Sequence, residues 1–247
     1  MADDDLIAAM QQRIDDIMLG KANLKYDKML MQEDAGDDDY GKLKPQSNGH
    51  KGAHLDYRKI QQLEFDRKFL TYMQLPIFRE ACQHVYCFQT PIAAFRAMFM
   101  NKPAHKGSVL PWHQDAWTFL DRPPNLTAWT ALDPAKMDNG CIQIIPRSHK
   151  LGRINPDHNS GFLTDEQAET YCRQEDLLHL EMEAGEVALL HNWTLHRSDR
   201  NSTDKPRRAF SVCYMDAETK HIHDSETYTT IFGPGALSIE QLEAENG

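Results

Sequence analysis

The chain is 247 residues long and 40% apolar, with 27 basic against 37 acidic side chains and a formal charge of −10. That length and apolar share suit a single β-rich domain over residues 1–247 with a real core, while the acidic balance argues against a nucleic-acid partner, which would need a clustered basic surface. No run approaches about eighteen consecutive apolar residues, so no membrane partner is expected, and the start Met1-Ala2-Asp3-Asp4-Asp5 lacks the basic, apolar character of a leader.

Residues 4–19 read as an amphipathic helix: Ile7, Met10, Ile14 and Ile17 recur at helical spacing, acidic residues open it and Gly20 stops it. The segment to about Ala53 is polar and loop-like, and its acidic residues Glu33-Asp34 and Asp37-Asp38-Asp39 lack the regular spacing of a calcium loop. From Leu55 to about His84 the pattern turns helical again, broken at Pro76, so residues 1–90 are expected to supply helices and loops outside a core sheet. After Pro91 short apolar segments at 93–100, 125–132, 141–145, 186–191 and 208–214 are each of strand length and bounded by turn residues. They place core strands in 91–149 and 186–216 and predict a mainly β fold with a helical layer, closed or double-sheeted like a jelly roll. Residues 150–185 form an insertion of the length often seen in lids, with Thr164-Asp165-Glu166-Gln167 as a capping box opening a short helix. The cysteines Cys82, Cys87, Cys141, Cys172 and Cys213 are odd in number and lack a CxxC pair, which suggests reduced thiols and a cytoplasmic protein.

The chemistry centres on Pro111-Trp112-His113-Gln114-Asp115. On an extended backbone His113 and Asp115 leave from the same face, about 7 Å apart at their α-carbons, and can converge on one ion. His196, brought back by the strand-like run from Val187 to Leu195, would complete two imidazoles and a carboxylate; His191, at the end of the apolar part of that run, competes for the same role. Such a set suits a non-haem ferrous ion with open positions for substrate and oxygen. Arg207 stands on an inward-running strand, where burial demands an anion. Its planar fork fits a carboxylate, either on a ligand or on an internal side chain, and the residues alone do not choose between these. Arg208 alternates to the opposite face.

The order His113-x-Asp115, then Asn139-Gly140-Cys141-Ile142-Gln143-Ile144-Ile145-Pro146-Arg147-Ser148-His149, then His196-x-Ser198, then Arg207 resembles the phytanoyl-CoA dioxygenase family over roughly residues 98–214. The resemblance implies a double-stranded β-helix (jelly roll, cupin-like) in which His113, Asp115 and His196 ligate Fe(II), with 2-oxoglutarate and O2 as cosubstrates. It places Arg207 on the distal carboxylate of 2-oxoglutarate, and Met98, Trp129 and Ser198 at cosubstrate-contacting positions. It further implies hydroxylation of a small organic molecule with release of succinate and CO2, or desaturation or ring chemistry from the same centre. Iron halogenases similar to this family carry a small residue where Asp115 stands, which argues for hydroxylation here. The family usually has glycine where this chain has Arg147, a side chain expected to face solvent. Members also usually carry a helix and strand ahead of the equivalent of residues 4–19, so the chain reads as a short member or one trimmed at its N-terminus.

Two other readings compete. A zinc hydrolase could use the same three ligands but leaves Arg207 and the 139–149 segment without a role. A metal-binding jelly-roll module, or an inactive family member, would keep the fold without turnover. The indoles of Trp112, Trp117 and Trp193 are expected to wall the site, and the identity of the substrate is not written in these motifs.

Overall fold

The computed structural model describes residues 4–34, 43–224 and 227–246, so Asp37-Asp38-Asp39 of the acidic run lies outside the described residues. Helix α1 (Asp4–Met18) forms where the apolar spacing demands it, and Ile7, Met10, Ile14, Ile17 and Met18 on one face are all buried. Burying side chains of this kind contributes roughly 1.5–3 kcal/mol each before ordering costs. The polar segment that follows is not all loop: β1 (Leu30–Glu33) and the two-residue β2 (Ser47–Asn48) pair antiparallel within it.

The stretch expected to be helical from Leu55 onward instead opens with β3 (Tyr57–Gln61). Tyr57 and Ile60 are fully buried, and β3 pairs with β1 on one side and with the long central strand on the other, Lys59 opposite Met100. Ladder bonds offered by an otherwise open strand edge outweigh a weak local helical pattern. Helices do follow: α2 (Arg67–Met73), whose N-cap Asp66 accepts from the amides of Lys68 and Phe69, and α3 (Pro76–Val85), started by its proline.

Most of the remaining strands lie within 91–149 and 186–216, but one, Leu178–Leu180, lies inside the 150–185 stretch set aside as an insertion and completes the small sheet. They are β4 (Ile92–Lys102), β5 (Leu110–His113), β6 (Leu126–Ala131), β7 (Ile142–Ile144), β8 (Leu178–Leu180), β9 (Val187–Leu190), β10 (His196–Ser198) and β11 (Arg207–Asp216), with β12 (Thr230–Phe232) beyond them. Between β7 and β8 lies α4 (Asp165–Tyr171), capped reciprocally by Thr164 and Gln167, and α5 (Ile239–Asn246) ends the chain. One antiparallel sheet runs β2-β1-β3-β4-β11-β6-β9, with β12 also on β4; a second runs β5-β10-β7-β8. This is a double-stranded β-helix.

The two faces of the large sheet explain where the site sits. Phe99, Phe210, Val212 and Tyr214 point outward and pack with α1, α2 and α3 into the main core. Met98, Met100, Ala209 and Ser211 alternate to the inner face, toward the small sheet. Arg208 on the outer side is held by Asp133, which accepts from its Nε and Nη2 at 2.8 Å each, and by Asp15 of α1 at 2.7 Å. Those carboxylates raise its already high pKa against the effect of burial. No helix among the described residues is long and apolar enough to cross a membrane.

Candidate metal and cosubstrate site

Strands β5 and β10 are neighbours in the small sheet, with His113 directly opposite His196. Their ring centroids lie 4.0 Å apart. In each residue Nδ1 lies against the carbonyl two positions earlier, Pro111 at 2.8 Å for His113 and Thr194 at 2.9 Å for His196. A carbonyl accepts only, so Nδ1 carries the proton and Nε2 keeps its lone pair for a ligand. Asp115, just past the end of β5, brings Oδ2 to 4.0 Å from Nε2 of His196, and one donor atom from each of the three residues lies within 4.8 Å of the others. Burial, then the neighbouring His196, holds the His113 pKa well below the usual imidazole range, favouring the neutral form that ligates metal.

His191 does not join this group. It lines the same pocket, but its Nδ1 accepts the Trp193 amide at 3.0 Å and its ring stacks on His149 at 4.8 Å.

The loop between the ligands is clamped by the insertion. Gln114 is fully buried; its side-chain amide donates to the carbonyls of Gly152 and Trp193 at 2.8 Å each and its Oε1 accepts the Ile154 amide at 2.9 Å. Gln114 N–H donates to Gly161 O, Leu163 N–H to Trp112 O, and the Phe162 ring stacks on His113 at 4.7 Å. Sequence reasoning passed over Gln114, although its place between two ligands was a signal. Substituting Gln114→Met removes the partner of three part-buried backbone groups; we expect a loss of about 2–4 kcal/mol in chemical denaturation and a drop of roughly 10- to 100-fold in metal affinity by titration. Gly161 has φ +74°, and a Cβ there would sit 2.3 Å from the Gln114 carbonyl oxygen. Gly161→Ala must therefore push the ligand loop aside, and the same titration should show weaker metal binding, with a melting point lowered by the equivalent of about 1–3 kcal/mol.

All seven residues singled out in the sequence, His113, Asp115, His196, Arg207, Trp129, Ser198 and Met98, line one pocket between the two sheets. Arg207 is 2% exposed, and its Nε and Nη1 have no hydrogen-bond partner. The guanidinium lies 5.5 Å from the Trp129 ring centroid, and burial lowers its pKa to about 10. Among the described residues no carboxylate forms an ion pair with it, whereas its neighbour Arg208 has two. Behind it a smaller cavity is lined by Arg58, Lys59, Lys102, Ser108 and Ser198. Lys102 donates to Ser108 O at 2.8 Å, and burial followed by Arg207 and Arg58 holds its pKa well below the normal range. Lys59, hidden from sequence reasoning by the helical reading of its segment, also faces the main pocket; burial, Arg58 and Arg96 lower its pKa to about 7 against the opposing pull of Asp115.

Of the three indoles expected as walls, Trp117 lines the pocket; Trp112 instead lies under Arg197, 5.0 Å from its guanidinium, and Trp193 contributes its backbone carbonyl to Gln114. Arg147 is exposed, with φ +63°. A left-handed conformation costs a non-glycine residue roughly 1–2 kcal/mol, so Arg147→Gly is expected to stabilise the fold by about 1 kcal/mol in urea titration.

The family model described as phytanoyl-CoA dioxygenase (PhyH) matches residues 1–209. The chain belongs to the phytanoyl-CoA dioxygenase family. Among relatives, peroxisomal phytanoyl-CoA dioxygenase of Mus musculus is 34% identical over 68% of this chain and 52% of its own length. The Homo sapiens protein is 32% identical over 66% of this chain and 51% of its own. The chain thus spans about half the length of the curated family members it matches. Among solved structures, EctD from S. alaskensis with bound Fe superposes with a TM-score of 0.65 at 17% identity, covering 99% of this chain and 77% of that one. The alpha-ketoglutarate-dependent carbocyclase SnoK from nogalamycin biosynthesis gives 0.57 at 18% identity, covering 90% and 79%. At those identities the likeness establishes the shared fold, and the family is established by sequence.

Proposed function

We propose that this protein is an Fe(II)- and 2-oxoglutarate-dependent dioxygenase that hydroxylates a small organic molecule, releasing succinate and CO2. The observation that carries the reading is the buried guanidinium of Arg207, whose Nε and Nη1 find no hydrogen-bond partner among the described residues, in the same pocket as the His113–Asp115–His196 cluster. A buried cation without a counter-ion is costly, and a dicarboxylate that bridges from the metal to Arg207 removes that cost. EctD from S. alaskensis, solved with bound Fe in one structure and with 2-oxoglutarate and 5-hydroxyectoine in another, supports the same pairing of cofactors.

In this reading His113 and His196 bind iron through Nε2 and Asp115 through its carboxylate, a donor set that leaves positions open. When bound, iron and 2-oxoglutarate supply the oxidative decarboxylation that activates O2 and delivers one oxygen atom to a substrate carbon. The chain's own residues hold and shield. Arg207 takes the far carboxylate of the cosubstrate with both arms of its fork, and the amines of Lys59 and Lys102, whose pKa values burial depresses in the ligand-free protein, stand behind it. Trp129 braces the guanidinium from below, Ser198 offers a hydroxyl beside it, and Met98 forms an apolar wall. Phe162 covers the His113 ring and keeps water off that side.

The insertion divides by role. Residues 152–163 clamp the ligand loop, and the exposed part around α4 is the segment we assign as a lid. A reducing compartment suits the five free cysteines; we offer the cytoplasm as that compartment, although the mammalian family members carry a peroxisomal name.

The test is succinate release from 2-oxoglutarate by anaerobically prepared protein given ferrous iron and then O2. Slow iron-dependent succinate that disappears in His113→Ala and in Arg207→Met supports the reading. No succinate, together with no charge-transfer band on anaerobic addition of iron and 2-oxoglutarate, overturns it in favour of a metal-binding module.

A further inference from the structure

One turn between the two sheets holds two of the three metal donors in place, and it contributes no donor itself. Residues His191 to Thr194 form a β-turn, closed by the Thr194 amide donating to His191 O at 2.8 Å. The next three carbonyls are all taken by the metal cluster and its loop. Asn192 O accepts the Asp115 amide at 2.8 Å, Trp193 O accepts the Gln114 side-chain amide at 2.8 Å, and Thr194 O accepts from His196 Nδ1 at 2.9 Å. Three successive backbone groups thus fix the backbone of one ligand, the residue between two ligands and the ring of another.

A single closing hydrogen bond does not stop a turn from pivoting as a unit, so its aim depends on the side chains that tie it down. Asn192 supplies the main tie. It is 2% exposed, and its carboxamide reaches across to the large sheet. Oδ1 accepts from Thr127 Oγ1 of β6 at 3.2 Å, and Nδ2 donates to Cys213 Sγ of β11 at 3.1 Å. Thr127 and Cys213 face each other in the β6–β11 register, so both anchors sit at one point of that sheet. Both are buried, and water does not replace these bonds when they are lost.

His191 supplies the second tie. Its Nδ1 accepts the Trp193 amide at 3.0 Å, and its ring stacks on His149 with centroids 4.8 Å apart. The turn is therefore pinned at its first two residues, while its last three carbonyls carry the metal loop.

We propose that Asn192 is a positioning residue for the metal centre: its side chain bolts the 191–194 turn to the large sheet, and the carbonyls of that turn hold Asp115, Gln114 and His196. His191, the rival of His196 in the sequence, belongs to the same device and acts through the Trp193 amide. This rests on the reading of His113, Asp115 and His196 as the metal set, and adds that the geometry of the set is imposed from the opposite sheet.

Cobalt(II) titration of the metal-free, full-length protein under nitrogen tests this, because the visible absorption bands of cobalt follow its coordination geometry. Asn192→Ala should raise the cobalt dissociation constant roughly 10- to 100-fold, as the loss of a partner outside the ligand shell does, and should change the position and intensity of the bands. Thr127→Val keeps Asn192 but removes its donor; it should shift the bands in the same direction and weaken binding about 3- to 10-fold, the worth of one hydrogen bond. The double variant should bind within about twofold of Asn192→Ala, because both changes act through one contact. Ile14→Ala, in the buried face of α1, is the control for general loosening: it should lower the melting temperature and leave cobalt affinity and bands as in wild type. Circular dichroism melts confirm that each variant is folded, and if Asn192→Ala is not, Thr127→Val decides by the same two readouts. Wild-type affinity and bands in Asn192→Ala, or equal weakening in Ile14→Ala, overturn the proposal. Wild-type protein that binds no cobalt sinks the metal reading and this assignment with it, whereas tight binding by wild type and Asn192→Ala alike sinks this assignment alone.

Discussion

Arg207→Met is expected to make the ligand-free protein more stable while removing its tight binding of 2-oxoglutarate. The two effects share one cause. Arg207 is 2% exposed, Nε and Nη1 donate to nothing, and burial alone lowers its pKa to about 10. A guanidinium in that position costs stability at every pH below its folded pKa, because the unfolded chain binds the same proton in water at no penalty. Methionine fills comparable volume without the charge, and replacing uncompensated buried charge by apolar groups typically gains about 1–4 kcal/mol. Thermal or urea unfolding of the apo-protein should therefore shift upward. Ligand binding should move the other way. Two charge-assisted hydrogen bonds of about 1.5–3 kcal/mol each are lost, so the 2-oxoglutarate dissociation constant should rise by roughly 100- to 10,000-fold. A melting point that falls in Arg207→Met while 2-oxoglutarate affinity is unchanged would show that Arg207 serves the fold and not a ligand.

The second large effect concerns the metal. Asp115→Ala should abolish iron-dependent succinate release and leave the fold intact. The Asp115 carboxylate is 29% exposed, and its one close side-chain neighbour in the cluster is His196, at 4.0 Å. Its backbone amide, which donates to Asn192 O at 2.8 Å, is untouched by the substitution. Removing it takes the only anion from a three-ligand set, so the loss in iron affinity should exceed the 10- to 100-fold that a change outside the ligand shell brings. The readouts are bound iron after desalting and the iron-dependent rise in melting temperature, which follows binding by mass action. Both should vanish in Asp115→Ala, while the apo melting point stays within about 1 kcal/mol of wild type. His113→Ala should lose the same metal but also some stability, because its ring is packed between Phe162 and His196.

Most of the candidate site was legible in the chain because its donors lie on strands or, for Asp115, directly after one. His113 and Asp115 at i and i+2, and Arg207 and Arg208 on alternate faces, follow from the pleat of an extended backbone. The structure realises both: one pair converges, and the other splits into a buried orphan and an ion-paired outer arginine. His196 over His191 was a different matter. Both lie on the return from the same apolar run, and only the cross-strand register that sets His196 opposite His113 separates them.

Lys59 was missed for a related reason. Strand β3 exists because β4 offers it a partner edge, which local propensity cannot announce. Gln114 was in plain view, but its three partners come from residues 152, 154 and 193, which no spacing rule connects. The turn at residues 191–194 is likewise tied to Thr127 and Cys213, on two other strands. Local backbone geometry made most of the strands between residues 91 and 216, the donor types and the family readable in the chain, but neither β3 nor β8. Only the tertiary structure decided which donors converge, which arginine stays unpaired and which turn holds the ligands, because register and long-range hydrogen bonds arise between segments that are far apart in the chain.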